Sequence, residues 1–492
     1  METDEMSFMQ QKYNEMKRNI PKTSVILYDY SKDIKEKYHI GNVIEGTCRS
    51  LLAQFHYCIH RELDLKRVVK SYYIADAQLT SAGLNFPSHP LQDFDLIMNE
   101  IKALCELCHP NILRLYDVFF DQKFVHLVIE FCKGGELFDS LAMEKLSLSD
   151  ALGIFIQLIE GISHIHNKGY AHRGLCIENI MFVNNDKKRI KLIGFSGCSK
   201  YFGGFKFRYG SPMYMAPEVY NENYTEACDV WSCGVIFFTM VVGHQPFQSS
   251  NFNDLRRKVV NNDMIKSSSW RSLDKEVKKF IRMLISVKKR PTAEGVLKLP
   301  LIKRYLSQNS KAVIKRLMKS VKSMRTDLNF TQKIHLGNKL KIAMYKILAP
   351  LNVLHDLYIL ESLWNELDVN GQEVILESDL VQNIETLLSK SELSEKAYNM
   401  LKKFDLDCKG RISKEEFIGL LIEISDKSII RQAFNILDTD SDGLIGSNDF
   451  DSFFKSHDYE KLKTSITECF GKDKLDFETF NLLVTRFVVS FS

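Results

Sequence analysis

His172-Arg173-Gly174-Leu175-Cys176-Ile177-Glu178-Asn179, followed by Ile193-Gly194-Phe195-Ser196, is the stretch on which the reading of this chain turns. Downstream lie Ala216-Pro217-Glu218, Asp229-Val230-Trp231-Ser232-Cys233-Gly234 and Arg290-Pro291. Upstream lie Val68-Val69-Lys70, Asn99-Glu100-Ile101, His109-Pro110-Asn111-Ile112, Glu130 and Gly134-Gly135-Glu136-Leu137-Phe138-Asp139. Apolar runs suited to strands come first in this region and give way to longer helical patterns.

The chain has 492 residues, about three times a typical domain length, so more than one domain is expected. Apolar and charged fractions of 45% and 26% are those of soluble globular proteins, and no stretch reads as a membrane span of about 18 to 20 uncharged residues. The acidic start Met1-Glu2-Thr3-Asp4 lacks a signal-peptide core and carries Glu2 where myristoylation needs glycine. Neither secretion nor a membrane anchor is therefore expected, and the reading is cytoplasmic. Eleven cysteines without zinc spacing fit reduced, mostly buried thiols. A net charge of +4 gives no argument for nucleic acid, but it conceals a basic stretch: Lys303 to Lys346 holds twelve Lys or Arg against Asp327 alone.

The ordered motifs of residues 38–305 resemble a protein kinase domain, in particular its calmodulin-regulated and calcium-dependent branch. The resemblance implies an α+β two-lobed fold and assigns roles residue by residue. Lys70 is the strand lysine that grips nucleotide phosphates and Glu100 its helical partner. Glu130 and Cys132 lie on the hinge with Ile129 as gatekeeper, Glu218 pairs with Arg290, and Asp229 holds the catalytic-loop backbone. Lys70, Glu100, Glu130, Cys132 and Asn179 make the candidate nucleotide pocket. The chemical positions depart from the family: Gly174 stands for the catalytic aspartate, Cys176 for its lysine, Gly194 for the metal-binding aspartate and Ser196 for the glycine after it. Phosphoryl transfer needs a carboxylate at the acceptor hydroxyl and ligands for magnesium, and Asn179 alone is a weak site for a hard dication. Within 44–52, Glu45, Thr47 and Ser50 stand where three glycines belong, which holds the backbone off phosphate and disfavours ATP/Mg2+.

After the kinase-like part, 306–350 reads as basic junction helices. Val313, Leu317, Val321, Met324 and Leu328 form one apolar line, and Leu336, Leu340, Ala343, Met344, Ile347 and Leu351 a second. The order resembles the junction of calcium-dependent protein kinases, a tethered calmodulin target. Residues 351–492 then resemble a calmodulin-like, all-α module of four EF-hands. A calcium loop needs oxygens at positions 1, 3, 5 and 12, a carbonyl at 7 and glycine at 6. The loop 438–449 meets this with Asp438, Asp440, Asp442, the Leu444 carbonyl and Asp449. The loop 405–416 keeps Asp405, Asp407, the Arg411 carbonyl and Glu416 but carries Lys409 at position 5. The stretch 368–379 lacks the glycine and reads as structural; a fourth hand near 470–480 has too short a loop. Residues 1–37 read as an extension of unreadable role.

The expectation is therefore a calcium-responsive pseudokinase, its junction helices held by the EF-hand lobes, acting on an unidentified protein partner or active kinase as scaffold or allosteric regulator. A weakly active atypical Ser/Thr kinase and a passive calcium-binding protein stay open as alternatives.

Overall fold

The computed structural model describes residues 26–28, 32–44, 53–61, 65–73 and 90–309 except 122 and 202, and then 340–342, 344, 345, 348, 357–368, 374–376, 383, 411–421, 427–439, 442–446, 449 and 474–486. It divides into two compact units, 1–302 and 303–492.

The first unit opens with a six-stranded sheet in the order β1-β5-β6-β4-β3-β2, made of β1 (Ile26–Tyr28), β2 (Tyr38–Val43), β3 (Ala53–His60), β4 (Lys66–Tyr73), β5 (Leu115–Phe120) and β6 (Phe124–Glu130). All neighbours are antiparallel except β1, which lies parallel to β5. The sheet thus takes in residues that precede position 38. Side chains explain why: Tyr28 stacks on Phe119 at 4.4 Å between ring centroids. The buried Asp117 carboxylate takes a 2.9 Å bond from Lys37 and another from the Tyr38 hydroxyl. Burying that carboxylate unpaired would be costly, so the segment just before residue 38 is built into the sheet.

Helix α1 (Ile34–Lys37) leads into β2, and α2 (Pro90–Glu106) packs beside the sheet and carries Glu100. The helical part follows with α3 (Leu137–Met143), α4 (Leu148–Asn167) and α5 (Ala227–Val242). Between α4 and α5 two small ribbons form, β7 (Tyr170–Ala171) with β10 (Ser199–Lys200) and β8 (Ile180–Phe182) with β9 (Ile190–Leu192). Ser147 caps α4 by accepting from the Asp150 N–H at 3.1 Å. Among the described residues α4 is the one helix long and apolar enough by length and composition to cross a membrane, although it carries Asp150 and Glu160. It is 67% buried within the unit, its Phe155 ring lying 4.8 Å from Phe237 of α5, as befits a core helix. Helix α5 is buried on nearly every side, which accounts for its almost uninterrupted apolar sequence.

In the second unit β11 (Val374–Leu376) pairs with β12 (Arg411–Ser413), and β13 (Leu444–Ile445) with β14 (Leu475–Asp476). These two ribbons join the four expected hands into two pairs. Helices α6 (Leu357–Leu367), α7 (Lys414–Leu421), α8 (Lys427–Leu437) and α9 (Phe477–Arg486) flank them. Leu340, Met344 and Leu348 of the second junction run are buried, and Gly419 of α7 abuts Ile342 so closely that a Cβ there would come within 3.0 Å. The second junction run is therefore packed on the second hand. The first, from Val313 to Leu328, lies outside the described residues.

Candidate functional site

Strand β4 crosses the middle of the sheet, and residues two apart on a strand share a face. Lys70 and Tyr72 accordingly reach the same target, Glu100 on α2. The Lys70 Nζ lies 2.8 and 3.0 Å from the two carboxylate oxygens, and the Tyr72 hydroxyl donates to Oε2 at 2.5 Å. Ser196 Oγ adds a third donor at 3.0 Å. Burial by itself would push the Glu100 carboxyl up, but Lys70, Tyr72 and Ser196 together hold it below the usual carboxylate range. The expected lysine–glutamate pair is therefore present, and Tyr72 and Ser196 saturate the glutamate without any ligand.

The catalytic-type loop is shaped by Asp229 near the start of α5. Its carboxylate accepts the backbone N–H groups of His172 and Arg173 at 2.8 Å each, and bonds His166 at 2.9 Å. Burial opposes its ionisation, but His166, His172 and these N–H groups hold it low. This hold sustains Arg173 in the left-handed region at φ 66°, a costly conformation for a non-glycine residue. The Arg173 guanidinium reaches Tyr224 Oη at 3.0 Å and the Phe207 carbonyl at 3.1 Å. Glu218 and Arg290 form the ion pair the sequence implied. The scaffold of this loop is thus assembled.

Its chemical positions are not. At Gly174 a Cβ would lie 3.4 Å from the Tyr209 ring, an ordinary contact, so the position has room for a side chain and holds none. The same ring lies so close on Gly197 that a Cβ there would come within 2.0 Å of it. Burial, then the charge of Glu100, push the Tyr209 hydroxyl up. Cys176 is buried, its thiol pushed up to about 12 by burial and then by Glu178, so it supplies no cation. Gly194 sits at φ 78°, ψ 48°, and a Cβ on it would fall 2.5 Å from Asn179 Oδ1. The Asn179 amide donates to the Gly174 carbonyl at 2.7 Å, closing the loop on itself. With no side chain at Gly174 or Gly194, the Asn179 amide oxygen is the one side-chain oxygen these three positions offer, a donor set that does not fit magnesium.

On the hinge, the Glu130 carboxylate is paired with the buried Lys191 at 2.8 Å and accepts from the Arg114 N–H at 3.3 Å, so its side chain is engaged in packing. Cys132 is buried and its thiol is pushed up by burial. The glycine-loop positions Glu45, Thr47 and Ser50 lie outside the described residues. The sequence reading did not single out Tyr72, which strand alternation two residues from Lys70 could have flagged; Tyr209 and Lys191 carry no signal in the sequence, because their partners are distant in the chain.

In the second unit the loop from Asp438 is wound as a calcium loop would be. Gly443 takes φ 82°, the left-handed turn that position 6 requires. Asp438 accepts from the N–H groups of Asp442 at 3.1 Å and Gly443 at 2.9 Å; Asp449 accepts from those of Thr439 and Gly446 at 2.8 Å. Both carboxylates are buried. Asp442 meets an ammonium, Lys474 Nζ, at 2.5 Å. The oxygen-rich chemistry of Asp438, Asp442, Asp449 and the Leu444 carbonyl fits calcium, although among the described residues no three metal-binding side chains converge on one point; Asp440 lies outside them. In the second hand, Glu416 accepts from Ser413 N–H and Oγ at 2.9 Å while Ser413 Oγ accepts from the Glu416 N–H at 3.2 Å, a capping box at the start of α7. Asp405, Asp407 and Lys409 lie outside the described residues.

Comparison with known proteins agrees with both units. Residues 85–302 match the protein kinase domain family and residues 372–424 the EF-hand domain pair; Lys70 and the Asp438 loop fall outside these two spans. Calcium-dependent protein kinase 5 of Plasmodium falciparum (isolate 3D7) is 29% identical over 391 residues, covering 77% of this chain and 66% of that protein. The protein of the same name from Plasmodium berghei (strain Anka) is 27% identical over 366 residues, covering 72% and 64%. Calcium-dependent protein kinase 4 of P. falciparum is 28% identical over 420 residues, covering 80% and 78%. The matched stretch thus spans just under two thirds of the length of the first two relatives.

Proposed function

Because the chain fits the calcium-dependent protein kinase family, with a kinase domain followed by an EF-hand pair, we propose that it is a calcium-responsive pseudokinase whose output is a binding surface rather than a phosphorylated product. The observation that carries this reading is the state of the two positions where carboxylates are needed. Gly174 and Gly194 offer backbone alone, and Tyr209 and Asn179 stand against them. Without a base and with no carboxylate to hold a metal, the transition state loses both proton acceptance and charge neutralisation, each worth orders of magnitude in rate. The intact Lys70–Glu100 pair then serves to hold α2 against the sheet.

Calcium at the Asp438 loop, with the Asp405 loop as a second candidate, changes how the EF-hand helices hold the junction. The packing of Ile342 on Gly419 supports this, since a shift of α7 must move the junction residue that touches it. The partner is a protein, scaffolded or allosterically controlled; cytoplasmic localisation belongs to the same proposal.

The test is a phosphoryl-transfer assay sensitive to slow turnover, run beside small-angle scattering with and without calcium. The expected result is no transfer above a Lys70→Met control and a calcium-dependent change in scattering. Transfer that disappears on Lys70→Met would overturn the pseudokinase reading, and unchanged scattering would leave a passive calcium binder.

A further inference from the structure

We propose that Lys474, at the end of the short fourth loop, is a tethered cation that competes with calcium for the loop running from Asp438 to Asp449 and thereby raises the calcium concentration at which this hand responds. The proposal rests on the calcium reading of that loop and adds the residue that tunes it.

The geometry begins with the β13–β14 ribbon. Leu444 faces Asp476 and Ile445 faces Leu475, so the antiparallel register carries on to set Lys474 opposite Gly446. Gly446 has no side chain, and the lysine stem runs over it: a Cβ there would come within 3.1 Å of the Lys474 Cγ and Cε. That path delivers Nζ to Asp442 Oδ2 at 2.5 Å, while the other carboxylate oxygen accepts from the Leu444 N–H at 2.8 Å. Asp442 is position 5 of the loop, a direct calcium ligand in such a hand. The fourth hand, whose own loop is too short to take an ion, thus places a positive charge on a ligand of its neighbour.

Calcium and the ammonium cannot share that carboxylate without repulsion. With both partners partly exposed, at 40% and 35%, the ion pair alone is worth about fivefold or less in an equilibrium. Repulsion between a nearby ammonium and a dication at a protein surface is of similar or larger size. Removing the charge should therefore tighten calcium binding at this loop about 5- to 30-fold.

The experiment is calcium titration of the full chain by calorimetry, using wild type, Lys474→Gln, Lys474→Arg and Asp438→Ala. Asp438→Ala identifies the binding event that belongs to this loop. The expected result is that this event tightens in Lys474→Gln and stays near wild type in Lys474→Arg; an event visible only in Lys474→Gln would support the same mechanism in a stronger form. An event of unchanged affinity in Lys474→Gln would overturn the competition while leaving the calcium site standing. No event in either wild type or Lys474→Gln would overturn both. Thermal melting without calcium guards against misfolding, since the ribbon core of Ile445 and Leu475 is untouched by these changes.

Discussion

Placing a side chain at Gly174 and at Gly194, one at a time, should have unequal consequences for stability, and the difference follows from backbone and space. At Gly174 a new Cβ makes an ordinary contact 3.4 Å from the Tyr209 ring and needs no unusual φ. Gly174→Ala should change stability by about 0.5 kcal/mol or less. Gly194 lies at φ 78°, where a side chain costs about 1 to 2 kcal/mol, and its Cβ would stand 2.5 Å from Asn179 Oδ1. Overpacking of that kind adds about 1 to 3 kcal/mol, so Gly194→Ala should destabilise by about 2 to 5 kcal/mol. Chemical denaturation of the full chain, followed through the transition of the first unit, measures both. In a double-mutant cycle Asn179→Ala should recover the steric share, about 1 kcal/mol or more, and leave the backbone share. Equal effects of Gly174→Ala and Gly194→Ala, or no coupling between Gly194→Ala and Asn179→Ala, would refute the reasoning. It would mean that Asn179 does not stand where a metal-binding carboxylate would have to project.

Lys70→Met leaves Glu100 buried with only the Tyr72 and Ser196 donors and should cost about 3 to 5 kcal/mol; adding Glu100→Gln should return part of it, as denaturation curves of both variants will show. Asp229→Ala strips the acceptor from the His172 and Arg173 N–H groups and releases Arg173 from its positive φ, with an expected loss of about 3 to 5 kcal/mol in the same denaturation experiment. Burial lowers His109 to about 3 and His164 to about 4 from an ordinary 6.5, with their rings 5.1 Å apart. The folded state keeps both neutral, so below about pH 6.5 the unfolded chain binds protons that the folded one does not. Stability is full above that pH and falls as pH drops toward about 4, by about 2 kcal/mol per histidine at about pH 5. A His164→Gln variant should lose about half of this dependence when melting curves at about pH 7 and pH 5 are compared.

Much of the first unit was legible because its structural residues act through fixed local geometry. Lys70 and Glu100, Glu218 and Arg290, and Asp229 beneath the loop all stand where their motifs implied. The glycine at position 6 of the Asp438 loop takes the turn that the ligand spacing demanded. Strand β1 carries little signal in the sequence because it is three residues long and pairs with β5 around Asp117 and Phe119, far along the chain, which no local pattern reveals. At Glu130 the hinge position is a property of the motif, whereas the direction of its carboxylate is set by Lys191.

From the amino-acid order alone came the two modules, their sequence along the chain, and the absence of carboxylates at Gly174 and Gly194, because these depend on residue identity at fixed spacing. Only the tertiary structure decided what stands against those glycines, which donors saturate Glu100, and that Lys474 meets Asp442. Each of those contacts joins side chains whose separation is set by how strands and helices pack, and close packing brings together residues that no periodicity in the sequence relates.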